Sequence, residues 1–170
     1  MKRIVTAIGL ITLFNSAASQ VLALSPEKLV GTWKLLSTVR QVVGSDKVVN
    51  NLGAHPHGVM VITPDYRFII IETGDGRQPA KTIEEFAALQ KSELAFSGLA
   101  TFSPDPDNPQ GLRMVSKVDI SWNEEWTGTN QTRLLSLDGD RLTIYTPPSK
   151  NPYTGEMGIS TLLFLSLIHI

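Results

Sequence analysis

Leu112-Arg113-Met114-Val115-Ser116-Lys117-Val118-Asp119-Ile120-Ser121-Trp122 alternates in polarity residue by residue. Leu112, Met114, Val118, Ile120 and Trp122 fall on one side of an extended chain together with Ser116. Arg113, Lys117, Asp119 and Ser121 fall on the other with Val115. Successive side chains of a strand point to opposite faces, so the first set is expected to face an interior and the second to face water. A strand with one wet face belongs in an antiparallel sheet, because strands of a parallel sheet are covered on both sides.

The same grammar extends in both directions from this strand. Short apolar-rich runs occupy 31–43, 58–63, 67–73, 97–103, 131–137, 141–146 and 158–164. Turn residues separate them: Pro64-Asp65-Tyr66, the proline-rich stretch Pro104-Asp105-Pro106-Asp107-Asn108-Pro109, and Asp138-Gly139-Asp140, a strong hairpin signal. About eight short strands with no internal repeat predict an all-β, up-and-down antiparallel barrel. One segment departs from the pattern. Thr82-Ile83-Glu84-Glu85 is a helix capping box, and Ile83, Phe86, Ala87 and Leu94 recur at helical spacing after it. A lone helix among strands is expected to lie across one barrel opening and bury Phe86, as a lid or as a plug.

Three domains of unequal kind follow. Lys2 and Arg3 precede an apolar run at 4–14, then Ser16, Ala17, Ala18, Ser19 and Val21-Leu22-Ala23. That is the layout of a secretory signal peptide over 1–23, with Ser19 as the alternative cleavage point. The run is too short for a membrane span, which takes roughly 20 residues. An exported protein, periplasmic or secreted, is expected. At the other end, Leu165-Ser166-Leu167-Ile168-His169-Ile170 matches a reading frame of a transposon adapter used in sequencing libraries. Residues 165–170 are therefore expected to be a non-native tail, the alternative being an ordinary closing strand. The domain itself is 24–164, long enough for one real core.

Charge and cysteine content exclude several functions. Without Lys2 and Arg3 the chain carries 13 basic and 16 acidic side chains, a net charge of −3. Nucleic-acid binding calls for a basic face and is not expected. The chain has no cysteine, so thiol catalysis, thiolate metal sites and disulfide staples are excluded. No hydrophobic run beyond the leader suggests a membrane span.

Four stretches in fixed order carry a family resemblance. They are Leu29-Val30-Gly31-Thr32-Trp33-Lys34-Leu35, Gly58-Val59-Met60-Val61-Ile62-Thr63-Pro64-Asp65, Trp126-Thr127-Gly128-Thr129-Asn130-Gln131-Thr132-Arg133, and Leu137-Asp138-Gly139-Asp140-Arg141-Leu142-Thr143-Ile144. Over 29–164 the chain resembles the bacterial and fungal lipocalin-like domain family. The resemblance implies a small antiparallel barrel with an internal cavity, and by itself no particular activity. It also implies that Trp33 packs at the closed end of the barrel under an arginine, for which Arg133 is the candidate. Family members often carry a histidine before the tryptophan motif. Here Ser116 and Lys117 stand in that strand, so no histidine role carries over.

The expected cavity lining is Phe68, Ile70, Met114, Val118, Ile120, Trp122, Arg133, Leu135, Leu142 and Ile144, apolar with few polar anchors, as small-molecule sites are. The same residues would equally fill a solid core. Phe96, Phe102 and Trp126 are candidates for an opening or for loop packing. Arg133 shares a face with Leu135 and Leu137, so it either caps Trp33 or meets a ligand carboxylate. Glu72 shares a face with Phe68 and Ile70. Buried, it is a candidate general acid or base; at a wet strand end it is not. Glu124 and Glu125 are expected in a solvated loop. His55 and His57 lack a third metal-ligand partner, so no metal or other cofactor is expected. No catalytic constellation is evident.

Three function classes remain open at this point: a carrier of a small hydrophobic molecule, possible ligands including a carboxylate; a cofactor-free isomerase or cyclase; and an envelope interaction module. An apolar void with polar groups outside fits the first. Glu72 or Arg133 directed at the void fits the second, and a filled core fits the third.

Overall fold

The computed structural model describes residues 23–50, 52–151 and 154–167. The expected leader lies outside them apart from Ala23, as do the last three positions of the expected tail. The strands are β1 (Gly31–Val42), β2 (Val48–Val49), β3 (His57–Ile62), β4 (Arg67–Thr73), β5 (Glu93–Pro104), β6 (Leu112–Ser121), β7 (Asn130–Asp138), β8 (Arg141–Tyr145), β9 (Ser149–Lys150) and β10 (Met157–Ser166). One helix, α1 (Ile83–Lys91), precedes β5.

Eight of the strands close on themselves. The order β1-β3-β4-β5-β6-β7-β8-β10 is completed by antiparallel pairing of β10 with β1, so Trp33 stands between Met60 on one side and Ser166 on the other. Closure leaves the long strands no free edge. The two-residue strands β2 and β9 merely extend β1 and β10 at one end of the barrel. Leu165 and Ser166, the first two residues of the expected tail, continue β10 opposite Lys34 and Trp33.

That barrel has a packed end and an open one. At the packed end a 3-10 turn, Pro26–Leu29, carries the fully buried Leu29, which belongs to one core cluster with Trp33, Ile62, Leu112, Leu142 and Phe164, none of which lines the barrel's cavity. The Trp33 indole N–H donates to the Leu29 carbonyl at 2.9 Å, which ties the plug to β1. Tyr66 and Phe102 meet edge to face nearby, with ring centroids 5.2 Å apart, so Phe102 belongs to this end.

Alternation predicts the inward set well where pairing is regular. In β4, Phe68, Ile70 and Glu72 point in while Arg67, Ile69 and Ile71 point out. It fails at two β-bulges, where an extra residue on one strand inverts every later side chain. In β6 the register slips so that Ser97 faces Ile120 while Gly98 faces Val118. Ile120 is turned outward by this and is 70% exposed, against the expectation that it lines the interior. A second slip in β1, between Leu35 and Ser37, sends Val39 out and Arg40 in.

Gly98 is what permits the first bulge. A Cβ there would lie 2.2 Å from the Lys117 carbonyl oxygen and 3.0 Å from the Phe68 ring. Backbone cannot yield as a flexible side-chain end can, so Gly98→Ala is expected to destabilise the barrel by about 2–3 kcal/mol in chemical denaturation. An alanine variant as stable as the parent would show that the bulge does not depend on glycine.

Helix α1 forms with its capping box intact: Thr82 Oγ1 accepts from the Glu85 backbone N–H, and the Glu85 carboxylate accepts from the Thr82 backbone N–H, each at 3.2 Å. It does not bury Phe86, which is 62% exposed, and no residue of the helix is buried. Helical spacing does not extend to Leu94, because the helix stops at Lys91 and Leu94 already belongs to β5. The helix is held by its cap and last turn instead, where the Arg77 guanidinium donates to the Leu89 carbonyl. No helix among the described residues is long and apolar enough to cross a membrane.

Candidate functional site

The open half of the barrel holds a cavity of about 690 Å³. Its walls are the inward residues of β3 to β8 and β10 beyond the packed end: Met60, Phe68, Ile70, Phe96, Met114, Ile144 and Leu162. Trp122 and Trp126 form one side, the latter on a 3-10 turn, Glu124–Trp126, capped by the Asn123 side chain. The aromatic rings form a chain of edge-to-face contacts from Phe68 to Phe96 to Trp126 to Trp122, with centroids 5.3, 5.3 and 4.9 Å apart. Such a chain fixes the shape of the wall. The mouth lies among Leu52, Lys91, Glu125 and the segment 147–151. A filled core, which the interaction-module reading requires, is not what this barrel contains.

Six of the ten residues expected at the cavity line it: Phe68, Ile70, Met114, Trp122, Arg133 and Ile144. Val118, Leu135 and Leu142 face inward but are almost fully buried within the packed core, away from the void. Ile120 is outside. Phe96 and Trp126 line the cavity, and Phe102 does not. Arg40, Met60, Leu94 and Leu162 were missed from the sequence. For Arg40 the cause is the β1 bulge, since strict alternation puts Val39 inside in its place.

Polar side chains also line this chamber, Arg40, Gln131 and Thr146 among them, and two charged ones, Glu72 and Arg133, stand out. Glu72 on β4 is 2% exposed, and its Oε1 has no hydrogen-bond partner. It is therefore not at a wet strand end. Burial pushes the carboxyl up to about 8, against the opposing pull of the Arg133 charge. Arg133 on β7 is half-buried, and desolvation lowers it to about 10 while Glu72 pulls the other way. Its guanidinium carbon stands 5.9 Å from the centroids of both Phe96 and Trp126, a cation–π arrangement. One hydrogen bond, from Nη1 to the Thr132 carbonyl at 2.8 Å, holds it to its own strand. Glu72 and Arg133 share the chamber without an ion-pair contact. At neutral pH burial favours a neutral Glu72 carboxyl in the same chamber as the Arg133 cation.

The other charged groups near the void are engaged or peripheral. Arg40 donates to Ser160 Oγ at 3.1 Å and to Ser149 and the Glu156 carbonyl, which ties β9 and the following turn to β1. Glu93 is paired with Arg77 at 3.4 Å. His55 and His57 are exposed, and no group of three or more metal-ligating side chains occurs among the described residues.

The family model for the lipocalin-like domain matches residues 30–164, most of the chain. The chain belongs to the lipocalin-like domain family. No curated protein and no solved structure matches it. In this lipocalin-like domain the pairing of Trp33 with Arg133 does not occur. Trp33 is satisfied by Leu29 at the packed end, whereas Arg133 enters β7 near its start, at the open end, and stacks against Phe96 and Trp126. The lipocalin-like domain thus directs Arg133 at the cavity, not at the plug.

Proposed function

We propose that this barrel binds a small hydrophobic molecule bearing a carboxylate, with the carboxylate on Arg133 and the apolar body against the aromatic wall. The observation that carries this reading is a half-buried guanidinium that lines a cavity of about 690 Å³, lies against the rings of Phe96 and Trp126, and has N–H groups to spare. A planar donor fork suits a carboxylate, and desolvation strengthens the contact. Carriage or sequestration is the role that fits, and the basic-then-apolar start of the chain up to Ala23 supports its taking place outside the cytoplasm.

Native mass spectrometry of the protein purified from its source compartment tests this, and a co-purifying organic acid is the expected result. Arg133→Met keeps the bulk of the side chain and removes its charge. It is expected to weaken binding of an alkyl carboxylate by about 10–100-fold, the worth of a charge-assisted hydrogen bond. A folded Arg133→Met protein that binds the acid as tightly as the parent would remove the proposal. A second reading, a cofactor-free enzyme that moves a proton within its substrate, is favoured by Glu72 facing the same void. It is distinguished by whether the captured molecule is returned unchanged.

A further inference from the structure

We propose that Glu72 is a ligand-binding residue that acts in its protonated form: the chamber accommodates a single negative charge beside Arg133, and a monocarboxylate takes that place while the Glu72 hydroxyl donates a hydrogen bond to it. The inference deepens the proposed function and rests on its reading that a carboxylate meets Arg133.

The geometry asks for such an arrangement. A ligand carboxylate buried here needs donors for its oxygens, and Arg133 supplies one side. Glu72 Oε1 is the buried side-chain atom in the chamber that lacks a partner, and its strand neighbours offer none: Phe68 and Ile70 precede it on the same face, and Gly58 and Leu94 stand opposite it in β3 and β5. An ionised Glu72 would face the ligand's own charge, and two carboxylates in one desolvated site do not both ionise. A protonated Glu72 converts that repulsion into a hydrogen bond. No other charge can substitute. Arg40 is spent on β9 and the turn beyond it, Glu93 is paired with Arg77, and Lys91, Glu125 and Lys150 stand at the mouth. Burial supports the same state in the empty protein, since it holds the Glu72 proton up to about pH 8.

A consequence separates this arrangement from a simple arginine anchor. The ligand enters as an anion and requires Glu72 protonated, so the competent fraction falls as pH rises through about 8. Affinity for an alkyl carboxylate should therefore drop about tenfold between pH 7 and pH 9, with about one proton taken up per ligand bound at pH 9.

Isothermal titration of the full chain with decanoate, in buffers of differing ionisation enthalpy, reads both quantities, and decanol serves as the uncharged comparison. The parent should show the tenfold fall and the proton uptake. Glu72→Gln, whose amide still donates but does not titrate, should show no fall in decanoate affinity between pH 7 and pH 9 and no proton uptake. Decanol should bind independently of pH in both proteins. Decanoate binding that is flat with pH in the parent, or that falls equally in Glu72→Gln or for decanol, overturns the role of Glu72 while leaving the Arg133 anchor standing. Failure of decanoate to bind at any pH, or equal binding by Arg133→Met, overturns the anchor and this inference together.

Discussion

Glu72→Gln is expected to be more stable than the parent protein at pH 8, and to lack the parent's loss of stability between pH 5 and pH 8. The Glu72 carboxyl titrates near 4.5 in an unfolded chain and near 8 in the barrel. The folded state therefore binds more protons than the unfolded state throughout that interval, and stability falls as pH rises through it. The contribution is fully present below 4.5 and is lost as pH climbs to about 8. Integrated from pH 5 to pH 8, a shift of this size amounts to roughly 3–4 kcal/mol, a large share of the stability of a domain this size. Arg133 is lowered only to about 10, so it stays charged in both states and adds no slope in this window. The carboxyls held low by hydrogen bonds, such as Asp65 and Asp119, act below pH 4 in the opposite sense. Urea denaturation of both proteins at pH 5, 6.5 and 8 measures the difference directly. Parallel slopes for parent and variant would mean that Glu72 is not buried as a neutral acid, and the role assigned to it would fall.

The fold was legible because its signals are local and repeat. Period-two burial in β4, the Asp138-Gly139-Asp140 hairpin and the Thr82–Glu85 capping box each depend on residues within a few positions of one another. What the sequence withheld depends on phase and on distance. A bulge leaves no mark in the bulged strand itself. The constraint that betrays it is Gly98, on the partner strand twenty-two positions before Ile120. The outward Ile120 and the inward Arg40 are both products of such slips. Arg133 was conspicuous as a charge on an apolar face, but its partner could be assigned only from the barrel's two ends. Trp33 and Arg133 both face inward, and they point into different halves. Nor does a list of inward residues distinguish a hollow barrel from a solid one. That follows from where the bulk sits. Trp33, Leu29, Leu142 and Phe164 fill one end, whereas the other end's inward positions are shared by Arg40, Glu72, Gln131, Arg133 and Thr146, whose polar tips do not close on one another.

If the barrel is divided in this way, damage to the packed end should cost stability without altering the chamber. Trp33→Ala is the sharpest version. Trp33 is 3% exposed, none of it lines the cavity, and its indole N–H is the donor for the Leu29 carbonyl beneath the plug. Removing it deletes a large core side chain and leaves that carbonyl without its bond, so a loss of about 3–5 kcal/mol is expected. For a chain of this length the melting temperature should fall by about 10 °C or more. Trp33→Phe restores most of the packing but not the donor, and should recover all but about 1–2 kcal/mol. Carboxylate affinity, measured on the folded fraction at a temperature well below the transition, should be unchanged in both variants, because Trp33 does not line the cavity that holds Arg133, Glu72 and the aromatic wall. A Trp33→Ala protein that stays folded but binds decanoate tenfold more weakly would show that plug and chamber form one cooperative unit, and that the wall holding Arg133 takes its shape from the closed end.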